Sequence, residues 1–136
     1  MMSVINESLK QLFEEVKQVY TQKQSIPDSL LSALNFVFKS PLLPALDLVE
    51  RRCVTMVTSP SGRCVYQVVG SSGTPYTCLL SCDYCGCPAY KFSVIKRGDH
   101  IMCKHILAVH LSDAMGLTKE LISTDLDLAD LIMGID

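Results

Sequence analysis

The chain has 136 residues, a length that suits one compact domain, and its net charge of −2 excludes little by itself. Its apolar share of 49% is high for so short a chain and implies either an efficient core or apolar surface that meets a partner. No run approaches the roughly 20 consecutive apolar residues of a membrane helix, and the charged start MMSVINESLKQLFEEV lacks the apolar stretch of a secretory signal, so neither a membrane span nor secretion is expected.

Ile5, Leu9, Leu12, Phe13, Val16, Val19 and Tyr20 recur at helical spacing and predict a first helix. The polar stretch 22–25 breaks it. Pro27 suits a first-turn position, and Leu30, Leu31, Leu34, Val37 and Phe38 carry a second helix. Ser40 and Pro41 restart the chain. Ala45, Leu46, Leu48 and Val49 then predict a short third helix, with Arg51 and Arg52 placed at its negative end. Beyond this point the pattern changes period. Residues 53–58, 63–69 and 75–80 are rich in β-branched and aromatic side chains, and Ser59-Pro60-Ser61-Gly62 and Gly70-Ser71-Ser72-Gly73 are turn signals between them. These read as a three-stranded antiparallel meander. The second turn lacks a following Lys-Ser/Thr pair, so it is a hairpin turn and not a phosphate-binding loop.

A cysteine-rich segment follows, and then a helix over 102–115 that Gly116 ends. A last amphipathic helix starts near Thr124 and uses Leu126, Leu128, Leu131 and Ile132. The expected architecture is α+β: N-terminal helices (1–52), a β-meander joined to a metal-binding unit with one helix (53–116), and a short C-terminal helix (117–136), all in one compact domain.

Seven cysteines are an odd number, and four of them crowd together near histidines. Without a signal peptide this reads as metal ligation under reducing conditions, not as a disulfide framework. The informative pattern is Cys85-x-Cys87, fifteen residues, then Cys103-x-His105. Three thiolates and one imidazole satisfy a tetrahedral zinc ion and leave no open position, so the site is structural and not catalytic. In an extended segment, residues i and i+2 point to the same side, which lets Cys85 and Cys87 present both sulfurs together. Cys103 and His105 cannot share a face deep within a helix, because two residues turn it by roughly 200°. They fit at a helix entrance, where the positive helix end also favours a thiolate. Cys82 is an alternative partner for Cys85 in a Cys-x2-Cys pair. Cys53, Cys64 and Cys78 fall in predicted strands and are read as packed core thiols. His100 lies in a polar loop, and His110 points away from the face of His105.

Cys85-x-Cys87-Pro88 with Cys103-Lys104-His105 resembles the SWIM zinc finger, and Ala108, three residues after the histidine, matches its extended form. Ala45-Leu46-Asp47-Leu48-Val49, Ser59-Pro60-Ser61-Gly62-Arg63 and Val65-Tyr66-Gln67-Val68 further resemble the SWIM subunits of animal Shu-type complexes, over residues 26–133. The resemblance implies one structural zinc ion held by Cys85, Cys87, Cys103 and His105. It also implies an obligate partner: a Rad51-paralogue-like subunit of ATPase fold. The pair would support Rad51-class recombinase filaments on single-stranded DNA in homologous recombination and double-strand break repair, which places the chain in the nucleus. Ala108 lies one helical turn beyond His105, where a small side chain lets another element come close.

The charge is unevenly spread. Between Pro88 and His110 the balance is +3, and from Leu111 onward it is −5. Lys91, Lys96, Arg97 and Lys104 are therefore the candidate DNA contacts, and the alternative reading is a stand-alone DNA-binding SWIM module of transposase-like origin. The cations are too few for strong independent binding, so DNA affinity is expected to arise in an assembled complex. The apolar stripes of the first and last helices are the candidate partner surfaces, with packing inside the chain as the alternative. No enzymatic role is expected: the Cys/His pair is better used as zinc ligands than as a nucleophile and base, and a RING-type ligase would need a second zinc site.

Overall fold

The computed structural model describes residues 2–70, 73–79, 84–87, 94, 98 and 101–133, with backbone alone for 2–6, 84 and 133. Three helices come first: α1 (Met2–Lys23), α2 (Asp28–Phe38) and α3 (Leu42–Glu50). In α1 the residues Leu9, Phe13 and Val16 follow an i, i+4, i+7 spacing, and all three are buried. In α2 the spacing is Leu30, Leu34 and Phe38, again buried. The Phe13 ring stacks on Phe38, with centroids 5.6 Å apart, and on His110 at 4.8 Å. Pro44 falls in the first turn of α3, where a missing backbone donor costs no helical hydrogen bond.

Five strands follow the helices: β1 (Val54–Thr58), β2 (Cys64–Val69), β3 (Pro75–Leu79), β4 (Tyr84–Cys85) and β5 (Lys119–Ile122), forming one sheet in the order β4-β3-β2-β1-β5. Strands β1, β2 and β3 are the expected antiparallel meander. The β1–β2 turn closes through Ser59 and Arg63, and Gly62 takes a φ of +89° that only glycine adopts without strain. The sheet is nevertheless larger than the sequence predicts. The two-residue β4 pairs antiparallel with β3, and β5 pairs parallel with β1. Strand β5 falls in the segment read as helix alone. Its four residues are all exposed and two are charged, so no alternating pattern marks it. Pairing to β1 decides its conformation, not local preference.

Between β4 and β5 runs α4 (Lys104–Met115), which Gly116 ends in the left-handed conformation, and α5 (Asp125–Met133) closes the chain. Thr124 Oγ1 accepts the Asp127 N–H at 3.1 Å as the N-terminal cap of α5, and Asp125 and Asp127 sit at the positive end of that helix.

The two faces of the sheet bury different partners. Directly opposed residues share a face, so Val54, Tyr66, Val68, Cys78 and Cys85 all enter the main core, which α1, α2, α3 and α4 complete. The other face sets Val57 and Val65 against Leu128 of α5, with Leu79, Leu131 and Ile132 around them. Of the apolar stripe of α1, Leu9, Phe13 and Val16 are thus buried inside the chain. Leu126 of α5 stays largely exposed, as do Leu121 and Ile122 of β5.

Candidate metal centre

The metal centre lies where the short edge strand meets the start of α4. Cys85 ends β4, and Cys87 follows two residues later. Cys103 is the N-terminal cap of α4, with φ −77° and ψ 168°, and His105 is the second helical residue. An extended cap followed by a helical turn lets the side chains of residues i and i+2 converge, which a continuous helix would forbid.

One ligand atom from each of Cys85, Cys87, Cys103 and His105 lies within 4.8 Å of every other. A tetrahedron with Zn–S bonds of about 2.3 Å has edges of roughly 3.8 Å, so a modest contraction around the ion closes the shell. All four residues are buried, between 0% and 5% exposed. The Nδ1 atom of His105 is buried with no hydrogen-bond partner among the described residues, a cost a bound cation removes. The thiols carry the same message. Hydrogen bonding from Cys103 lowers the Cys85 thiol, but contact with Cys78 and Cys87 and burial together push it well above its ordinary value. Contact with Cys85 and Cys87, then burial, push the Cys103 thiol up as well. Three crowded sulfurs cannot ionise together without a cation, and a divalent ion that takes the place of their protons resolves the conflict. The donor set fits one zinc ion with no position left open.

Around the ligands, the Tyr76 ring packs on the His105 imidazole, centroids 4.6 Å apart and tilted by 36°. Cys78 of β3 lies opposite Cys85. Sequence reasoning missed both contacts. Alternation along β3 puts Tyr76 and Cys78 on one face, but only the β3–β4 register shows what that face meets. His110 stacks on Phe13, away from the four donors.

A model of the SWIM zinc finger family matches residues 73–112, the stretch that holds all four donors. The chain is 49% identical over 127 residues to zinc finger SWIM domain-containing protein 7 of Mus musculus, covering 93% of this chain and 84% of the relative. It is 46% identical over 125 residues to the Homo sapiens protein of that name, covering 92% and 89%. With the Danio rerio protein it shares 52% identity over 111 residues, covering 82% and 79%. The chain belongs to the zinc finger SWIM domain-containing protein 7 family. No solved structure matches it. As a member of this SWIM family it carries one zinc ion, and the buried Cys/Cys/Cys/His cluster is the place for it.

The remaining sequence candidates fall out as follows. Ala108 is fully buried in the main core on α4, so its small side chain serves packing within the chain. Lys104 is exposed on the first residue of α4. Lys91, Lys96, Arg97, His100 and Cys82 lie outside the described residues. Cys78 is buried as expected and Cys53 is half-buried, but Cys64 is exposed. Cys64 opens β2 opposite Thr58.

Proposed function

We propose that this SWIM-family chain is a non-catalytic interaction subunit of a Shu-type complex. In that complex it holds a Rad51-paralogue-like subunit of ATPase fold and supports Rad51-class recombinase filaments in homologous recombination. The observation that carries the reading is the closed, buried Cys₃His cluster: four protein donors fill the tetrahedron, so the ion ties β4 to α4 and offers no position to a substrate. Exposed apolar side chains support an interaction role. Phe36 is 84% exposed and Leu43 67% on the α2–α3 side, and Leu121, Ile122 and Leu126 are exposed at the β5–α5 edge. The chain acts in the nucleus, with single-stranded DNA reached through the assembled complex. Lys91, Lys96, Arg97 and Lys104 are the cations available to phosphates there.

Co-expression with a recombinase-paralogue subunit, followed by purification and zinc analysis, tests this reading. The expected result is a zinc-loaded complex that outlasts the isolated chain in solution. A chain that is well behaved alone and ignores that subunit contradicts it. Within the complex, reversing Lys96 and Arg97 to glutamate weakens single-stranded DNA binding and flattens its salt dependence.

A further inference from the structure

Cys78 is not one of the four clustered donors. It sits on β3 as the direct cross-strand partner of Cys85 on β4. Side chains so paired project to the same face, with Cβ atoms roughly 4.5–5.5 Å apart. Both are fully buried, and the two thiols are near enough for Cys78 to raise the Cys85 thiol. A zinc-bound Cys85 is a thiolate, with no proton of its own to donate. In that state the only hydrogen bond the pair can make runs from the Cys78 S–H to Cys85 Sγ.

Two further features make such a bond matter. Three thiolates around Zn²⁺ leave a net charge of −1 in a buried site, where uncompensated charge is costly and each hydrogen-bond donor offsets part of that cost. Strand β4 is also two residues long and lies at the edge of the sheet, so little backbone pairing fixes the Cys85 sulfur.

We propose that Cys78 is a positioning residue of the zinc centre: its S–H donates to Cys85 Sγ, orients that sulfur and offsets part of its negative charge. The inference rests on the zinc centre alone and is independent of the repair role.

The test uses the full chain with Cys78→Val, which fills similar space without a donor, and Cys78→Ser, which keeps one. Zinc affinity is read by competition with a chromophoric chelator. The donor itself is read from the sulfur-to-metal charge-transfer band of the cobalt-substituted protein. Cys78→Val is expected to bind zinc about 10–100-fold more weakly, the usual effect of losing an outer hydrogen-bond partner, and to shift the band to lower energy. Cys78→Ser is expected to stay close to the unsubstituted protein in both. Unchanged affinity and band position in Cys78→Val overturn the proposal. So does an equal loss in both variants, which would mark a packing role only. Should Cys78→Val fail to fold in excess zinc, Cys78→Ala against Cys78→Ser decides it: serine retaining what alanine loses supports the proposal, and equal values overturn it.

Discussion

His105 and Ala108 share one helix face but have different tasks. His105 gives a nitrogen to the metal. Ala108, one turn on, is fully buried in the main core. Ala108→Val inserts two methyl groups into closed packing and is expected to destabilise the chain by about 1–3 kcal/mol, read as a lower denaturant midpoint with an unchanged slope. Tyr66 makes a second residue-scale prediction. Its hydroxyl donates to Asp113 Oδ2 at 3.0 Å, joining β2 to α4. Burial, then the negative charge of Asp113 and the hydrogen bond to it, raise the Tyr66 pKa. A group raised in the folded state contributes stability that is fully present below its unfolded pKa, about 10 for tyrosine, and lost as pH climbs towards the folded value. Stability should therefore fall on the alkaline side above about pH 10. Tyr66→Phe removes that limb and costs about 1 kcal/mol at neutral pH, which urea titrations at several pH values would measure.

At the scale of elements, α5 shows how a short helix earns its place. Leu128 is fully buried against Val57 and Val65, in a small cluster apart from the main core. Leu128→Ala is expected to cost about 2–5 kcal/mol and to increase amide exchange in β1 and β2. Thr124→Ala removes the cap of that helix and is expected to cost about 1 kcal/mol by the same measurements. The helix was readable because Leu128, Leu131 and Ile132 repeat at helical spacing after a capping threonine. The strand before it was not. Strand β5 has four residues, no buried side chain and a parallel partner more than 60 positions earlier in the chain, so nothing local announces it. The meander was legible for the opposite reason, since glycine turns and β-branched runs mark each strand where it stands. The role of α1 shows a third case. Its stripe is plain in the sequence, but an apolar stripe does not say whether it faces its own core or a partner. The burial of Leu9, Phe13 and Val16 shows that this part of the stripe faces the chain's own core.

For the whole molecule, the main core joins α1, α2, α3 and α4 to one face of the sheet, and three of the metal donors belong to it. Cys85, Cys87 and Cys103 are members of that same buried set, so the zinc ion and the apolar core stabilise each other. Structural zinc is worth on the order of 10 kcal/mol in small fingers, comparable with the ~5–15 kcal/mol stability of a typical domain. Cys85→Ala or His105→Ala is accordingly expected to abolish zinc retention and unfold at least the β4–α4 region, seen as lost metal content and a lower melting temperature. The four donors could be read from spacing alone because tetrahedral ligation demands few residue types at few separations. Their surroundings could not be read that way, since Tyr76 and Cys78 reach the site only through strand register.

X-ray absorption at the zinc edge of the purified chain tests the central claim most directly. One zinc per chain, with three sulfur neighbours at about 2.3 Å and one nitrogen at about 2.0–2.1 Å, is the predicted result. A water oxygen in the shell, two sulfurs in place of three, or a signal unchanged in Cys103→Ala would contradict it.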